Sequence, residues 1–170
     1  MQLAEEGTCP GCGSLIPVSG VARYDGYFNT SPECWQVFME VLASQYSNAV
    51  LFGQAHQLTV DTYAVQHAGG THPDKSVDIH LTGLYLVLEK NVKPPSLPKH
   101  LQRLSDSIES WPYFPPPDVR VPVTIRDIAD ATSPEQHMVL VREWSRSVWE
   151  AWSPYHAKVA KLVQRYLAIT

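Results

Sequence analysis

Apolar residues recur at intervals of three or four along most of the chain, which is the spacing of an amphipathic helix. The first such stripe follows Ser31-Pro32-Glu33, which supplies a capping hydroxyl, a proline and an acid for a first helical turn. The members of the stripe are Cys34, Phe38, Val41 and Gln45. The pattern therefore predicts a first helix that ends near Ser47.

Two further helices are predicted before residue 91. Gly53 and the Gly69-Gly70 pair bracket the second, from about Gln54 to His67. Its stripe consists of His56, Val60, Tyr63 and His67. The third helix is predicted from about Asp74 to Lys90, and its apolar side is formed by Val77, His80, Leu81, Leu84 and Leu88.

Proline interrupts the helical pattern in the middle of the chain. Eight of the 14 prolines fall between Pro94 and Pro122, a density that neither a helix nor a central strand can continue through. Residues 92–132 are therefore predicted to cross the surface, with one short helix near residues 97–110. Ser133-Pro134-Glu135 then repeats the first start signal and predicts a long C-terminal helix, kinked near Ser153-Pro154.

These elements predict a mostly α fold, a four-helix-type bundle with an N-terminal zinc-knuckle segment and a proline-rich surface excursion. A chain of 170 residues is the size of one domain, so residues 1–170 are expected to form a single domain. Its parts are a metal knuckle and loop or short hairpin over 1–30, three helices over 31–91, the excursion over 92–132, and the C-terminal helix over 133–169.

Composition and charge exclude some classes of partner. The chain is 44% hydrophobic and 18% charged, which is typical of a folded protein. Its net charge is -4, so a broad basic surface for nucleic acid is not expected. No apolar run is long enough to cross a membrane, and Glu5 and Glu6 stand where a secretory signal would carry positive charge. We therefore expect a cytoplasmic protein with no nucleic-acid or membrane partner.

The N-terminal TCPGCG stretch is the clearest candidate for chemistry. Cys9 and Cys12 have the spacing of a zinc knuckle, and thiolates favour zinc or iron–sulfur chemistry over magnesium or calcium. We predict zinc as the cofactor. A redox role for the pair is the alternative, although a redox C-x-x-C usually follows a strand and opens a helix.

A closed structural zinc site needs four ligands, and the chain has only three cysteines. Cys34 is the predicted third ligand, because amides at a helix N-terminus favour an ionised sulfur. Cys34 also belongs to an apolar stripe, so burial in the core is an equal alternative. His67, at a predicted helix end, is the preferred fourth ligand, and His56, His72 or a water remain open.

Two histidines lie on apolar stripes and form a second candidate site. His80 falls between Val77 and Leu84 in angle, and His156 shares a face with several tryptophans. Asp61 could orient an imidazole by accepting its second N–H. Three inward histidines, His67, His80 and His156, would suit a metal or acid–base site inside a bundle, with His80, His156 and Asp61 catalytic. Taken singly, a histidine on an apolar face such as His80 or His156 is more often a hydrogen-bonded core residue than a ligand.

Four stretches taken together resemble a family of small bacterial proteins of unknown function. They are CPGCG, LTVDTYAVQHAGG, DIHLTGLYLVLEK and REWSRSVWEAWSPYHAKV. The resemblance implies a discrete single-domain protein and no particular activity. In that family the glutamine–histidine pair is usually followed by proline, whereas Ala68 follows His67 here. At the level of fold alone, inward histidines on a bundle are similar to the metal-dependent DinB-type transferases and hydrolases.

The sequence thus predicts a zinc protein whose metal is structural and whose bundle binds a protein partner or a small ligand. The alternative is a metal-dependent enzyme of the hydrolase or thiol-transferase type, which would use the inward histidines. A third interpretation is a redox or metal sensor with Cys9, Cys12 and Cys34 as oxidisable ligands.

Overall fold

The computed structural model describes residues 5–169. Residues 1–4 of the predicted knuckle segment, and residue 170 of the predicted domain, lie outside that range. A small hairpin opens the described chain, in which β1 (Glu6–Thr8) pairs antiparallel with β2 (Leu15–Pro17). The predicted short hairpin is present, its turn carries the first two cysteines, and residues 18–31 form the predicted irregular loop.

The first helix, α1, spans Pro32–Tyr46 and begins at the predicted cap. The Cys34 backbone N–H donates to Ser31 Oγ at 3.2 Å, which satisfies one of the amides left free in the first turn. The buried residues of α1 are those of the predicted stripe: Cys34, Phe38, Val41 and Gln45.

The second helical region begins earlier than the sequence pattern predicts. The Asn48 side chain caps α2 (Ala49–Leu51), and a π-helical turn, Phe52–His56, then leads into α3 (Gln57–Gln66). Gly53 lies inside this turn instead of just before the helix, because Asn48 supplies the start signal upstream of it. After a short loop, α4 spans Asp74–Leu88.

The proline-rich excursion carries two helices where the sequence predicts one. A 3-10 turn, Pro94–Ser96, precedes α5 (Leu97–Ser107), and α6 (Ile125–Ala129) follows later. A capping box between Thr124 and Asp127 starts α6.

The C-terminal helical region divides where the sequence predicts a kink. The first part, α7, spans Pro134–Ala151, and a 3-10 turn, Ser153–Tyr155, separates it from α8 (His156–Leu167). Proline at the second position of that turn cannot donate the backbone hydrogen bond that would continue α7.

Helix packing confirms the predicted mostly α fold. The hairpin of α3 and α4 lies at its centre, with α7 against α3 and both α5 and α8 against α4. Two tryptophans of α7 are buried there with their indole N–H groups satisfied: Trp144 donates to Gln66 Oε1 at 2.9 Å and Trp149 to Glu89 Oε1 at 2.8 Å. Within residues 5–169, none of the helices has the length and apolar character needed to span a bilayer.

A buried carboxyl on α4 has no partner within the described chain. Asp78 is 1% exposed, and neither of its carboxyl oxygens makes a hydrogen bond; the same is true of the Thr82 hydroxyl one turn later. Burial, with a smaller contribution from Asp74, raises the pKa of Asp78 to about 8. The folded protein therefore holds a proton that the unfolded chain releases near pH 4.

This shift makes stability depend on pH. Because the pKa of Asp78 is raised in the folded protein, only the unfolded chain ionises between about pH 4 and about pH 8. The free energy of unfolding therefore falls progressively as pH rises through that range. We expect Asp78→Asn to remove this slope, so that the variant gains about 1–3 kcal/mol relative to the wild type between pH 5 and pH 8. Urea unfolding across that range measures it, with exposed Asp106→Asn as the control. If the free energies of unfolding of the variant and the wild type differ by the same amount at every pH, the raised pKa does not belong to Asp78.

Candidate metal centre

Cys9 and Cys12 lie in the turn between β1 and β2. The Cys9 N–H donates to the Ser14 carbonyl, and the Gly13 N–H donates back to the Cys9 carbonyl, both at 2.9 Å. Gly13 has a φ of 76°, which favours glycine, and this lets the chain reverse tightly after Cys12. The hairpin thereby brings the two thiols to one buried location.

Cys34 reaches the same location from the first turn of α1. Its Sγ lies 3.8 Å from Cys12 Sγ, and the residue has no exposed surface. Zinc–sulfur bonds of about 2.3 Å in a tetrahedral arrangement place sulfurs about 3.8 Å apart. The spacing of these two thiols is therefore that of ligands to one ion.

His67 completes the group from the C-terminal end of α3. Its Nδ1–H donates to the Tyr63 carbonyl at 2.7 Å, and its Nε2 lies 3.4 Å from Cys34 Sγ. Because Nδ1–H donates to the backbone carbonyl, Nε2 is the ring nitrogen that faces the sulfurs and is left for a metal ion. This is the arrangement in which an outer hydrogen bond fixes the tautomer of a metal-binding imidazole.

The four side chains form one cluster that could hold a metal ion. The ligand atoms of Cys9, Cys12, Cys34 and His67 all lie within 4.8 Å of one another, and all four residues are buried. The three cysteines are free of disulfides. Three segments distant in sequence thus meet at a single point.

Two hydroxyl groups that the sequence interpretation missed line this cluster. The Tyr63 hydroxyl lies 3.6 Å from Cys34 Sγ, and the Thr30 hydroxyl lies 3.5 Å from Cys9 Sγ; the two oxygens are 2.8 Å apart. The Tyr63 ring also stacks on His67, with ring centroids 3.9 Å apart. Tyr63 precedes His67 by one helical turn, which is the only signal in the sequence that could have indicated it.

The electrostatics of the cluster favour a cation at its centre. Contacts with Cys12 and Cys34 lower the pKa of Cys9, while contacts with Cys12 and Cys9, together with burial, raise that of Cys34. Burial opposes a charge on His67, but the sulfurs of Cys12 and Cys9 outweigh it and raise its pKa to about 9. Ionisation of all the sulfurs at once is therefore unfavourable without a nearby positive charge, which a metal ion would supply.

Gly11 lets the knuckle pack closely against the end of α3. A Cβ at this position would collide with the Asn29 carbonyl oxygen and lie 2.6 Å from His67 Cδ2. Asn29 in turn donates its backbone N–H to the His67 carbonyl at 3.1 Å. The knuckle, residue 29 and the imidazole are therefore in direct contact.

The other candidates for the fourth ligand bond elsewhere. His56 Nδ1 lies 3.2 Å from Gln45 Oε1. His72 donates from Nδ1 to the His67 carbonyl at 3.1 Å and contacts Ser76 Oγ through Nε2 at 2.8 Å. Burial lowers the pKa of His72 to about 4, which keeps it neutral. Of the three histidines considered, the structure brings His67 to the sulfurs.

The three residues predicted to be catalytic lie at two separate locations. His80 Nδ1 lies 2.7 Å from Asp61 Oδ1, which also accepts from Gln57 Nε2 at 2.9 Å. Asp61 is fully buried; burial raises its pKa and the His80 contact opposes the shift. Gly83 provides the necessary space, since a Cβ there would overlap the Asp61 carboxylate.

His156 does not join this pair. Its ring stacks on Trp149 at a centroid distance of 3.7 Å, and its Nε2–H donates to the Trp149 carbonyl at 2.8 Å. In the described part of the chain, the cysteine–histidine cluster is the only group of three or more suitable side chains close enough to share an ion. The catalytic roles of His80, His156 and Asp61 stay predictions.

Comparison with known proteins identifies the family. The family model described as Family of unknown function (DUF5946) matches residues 7–153, and the chain belongs to that family. The resemblance predicted from the sequence motifs is thereby confirmed, and the match spans all four members of the cluster. No curated protein and no solved structure matches the chain.

Proposed function

We propose that this member of the DUF5946 family is a zinc protein, in which Cys9, Cys12, Cys34 and His67 hold one structural ion. The helical bundle behind the ion serves as a binding module for a protein partner or a small ligand. The observation that carries this proposal is the meeting of four buried ligand atoms within 4.8 Å of one another.

The donor set supports zinc. Three thiolates with one imidazole form one of the common structural zinc sets, whereas magnesium and calcium prefer oxygen ligands. Thiolate sulfur is a soft donor and selects zinc over hard cations. We therefore assign zinc to the site.

The burial of the ligands supports a structural role. Cys9, Cys34 and His67 are 0% exposed, so a fourfold protein shell leaves little access for a reacting water. The ligands come from the hairpin turn, the start of α1 and the end of α3, and an ion shared among them would cross-link these segments. In small zinc-finger peptides such binding supplies about 10–16 kcal/mol.

The three free cysteines also bear on the cellular compartment in which the protein works. Three free cysteines whose sulfurs are needed as ligands require a reducing environment. We accordingly propose that the protein works in the cytoplasm.

The Asp61–His80 pair favours a second candidate, a metal-dependent hydrolase or thiol transferase. Asp61 orients the His80 ring through Nδ1, and His80 Nε2 makes no hydrogen bond within residues 5–169. An imidazole held in this way suits proton transfer. In this scheme His80 would exchange the proton and Asp61 would hold the imidazole in position, whereas His156, bonded to the Trp149 carbonyl, would have no part. The scheme requires an open position on the zinc.

Removal of the metal tests the structural role. We expect the purified protein to contain one zinc per chain and its melting temperature to fall by roughly 10 °C or more when a chelator strips the ion. Added zinc should restore the transition, and added magnesium should not. Circular dichroism with elemental analysis measures both quantities. An unchanged melting temperature in zinc-free protein would refute a structural ion.

A further inference from the structure

A cavity of about 290 Å³ lies directly beside the metal centre. Five parts of the chain form its walls: the knuckle turn, Asn29, the end of α3 with the loop after it, residues 116–121 of the excursion, and the end of α7 with Trp152. Ligand pockets are commonly about 300–1,000 Å³, so this cavity suits a molecule at the small end of that range. Cys12 lies on its wall.

The cavity has one acidic and one basic side chain, Asp118 and Arg120. They are two residues apart in the proline-rich excursion, both side chains are exposed at the mouth of the cavity, and they do not form an ion pair. Within residues 5–169, neither Asp118 nor Arg120 makes a salt bridge or a side-chain hydrogen bond to another protein group. Two opposite charges are therefore left unpaired at one cavity.

The remaining walls are apolar or already hydrogen-bonded. Val65, Val148 and Trp152 contribute hydrocarbon and aromatic surface. The Gln66 amide, which also lines the cavity, donates to the Val123 carbonyl and accepts from Trp144, each at 2.9 Å. Asp118 and Arg120 are thus the groups free to recognise a charged ligand.

The Arg120 side chain reaches the knuckle. Its guanidinium lies against Gly13, and a Cβ on that residue would overlap it. This contact brings the cation over the turn that carries Cys12. Arg120 is therefore a residue that both lines the cavity and contacts the knuckle.

We propose that this cavity binds a free α-amino acid as its zwitterion. Arg120 would bind the carboxylate through paired N–H donors, Asp118 would accept from the ammonium group, and Val65, Val148 and Trp152 would contact the side chain. The inference rests on the proposed function, because the metal-held knuckle forms one wall.

Calorimetric titration of the zinc-loaded protein tests this assignment. The probes are glycine, L-alanine, L-leucine and L-phenylalanine, followed by the best binder's analogue lacking the amino group and its analogue lacking the carboxylate. We expect each analogue to bind about tenfold more weakly than the amino acid, because each loses one charge-assisted contact. The Trp152 indole resonance should shift on binding.

Matched variants assign each charge. In Arg120→Gln the amino acid and its decarboxylated analogue should bind equally, and in Asp118→Asn the amino acid and its deaminated analogue should do so. Arg103→Gln, exposed on α5, should behave as the wild type. Folded protein with one zinc per chain that binds none of the four amino acids would overturn this inference alone. Selectivity unchanged by either variant would also overturn it, whereas absent zinc would contradict the proposed function instead.

Discussion

Replacement of Cys9 and Cys12 by serine is expected to abolish zinc binding and to unfold much of the chain. The double variant keeps only one thiolate and one imidazole, too few to hold the ion tightly. The hairpin would then lose its cross-link to α1 and α3. Cys34 would remain buried without a metal ion to bind its sulfur. We expect the free energy of unfolding to fall by about 5 kcal/mol or more, which is comparable with the whole stability of many domains.

Zinc content and urea unfolding of the purified variant measure this effect. His67→Gln should likewise lose zinc, because it removes the nitrogen that faces the sulfurs. His56→Gln is the matched control, since His56 bonds to Gln45 instead, and it should retain one zinc per chain. A double cysteine variant with wild-type zinc content and stability would show that the knuckle does not bind the metal.

The second large effect is expected from Gly11→Ala. An added Cβ would collide with the Asn29 carbonyl and press on the His67 ring, and neither group is the free end of a flexible side chain. The knuckle would have to move away from α3, which separates Cys12 from the imidazole. We expect a loss of about 2–4 kcal/mol in stability together with weaker zinc binding.

Gly53→Ala provides the comparison for this variant. Gly53 lies in the π-helical turn with open space where a Cβ would be, so alanine there should be neutral or slightly stabilising. Competition with a chromophoric chelator gives the zinc affinity, and urea unfolding gives the stability. If Gly11→Ala and Gly53→Ala have the same zinc affinity and the same free energy of unfolding, the close packing of the knuckle on α3 contributes nothing to either.

Local signals account for the part of the fold that the sequence predicts. The Ser-Pro-Glu triplets at residues 31 and 133 start helices because a hydroxyl cap and a first-turn proline act within four residues. The break at Ser153-Pro154 is equally local. By contrast, α6 has only five residues, too few for an apolar period, and its capping box stands among prolines that suggest a loop.

The candidate site likewise has a part that local sequence signals predict and a part that depends on tertiary structure. The zinc-knuckle spacing of Cys9 and Cys12 can be recognised in the sequence because it depends only on the local turn between them. Cys34 satisfies two patterns at once, those of a ligand and of a core residue, and the structure shows a buried thiol beside another thiol. The choice of His67 over His72 depends on where the end of α3 lies relative to the hairpin, which is a tertiary property.

Contacts across helices explain what sequence reasoning could not decide among the inward histidines. His80 meets Asp61 because α3 packs on α4, and Gly83 leaves room for the carboxylate. His156 faces Trp149 because the chain turns between α7 and α8. Periodicity places a residue on a helix face, but it does not identify the helix that this face contacts.

X-ray absorption at the zinc edge tests the central claim most directly. We expect one zinc per chain, with three sulfur ligands at about 2.3 Å, one nitrogen at about 2.0–2.1 Å and no oxygen. The sulfur count should fall to one in the Cys9, Cys12 double variant if any metal remains. A zinc with an oxygen ligand in an open position would favour the enzyme candidate, and a zinc with fewer than three sulfurs would contradict the site.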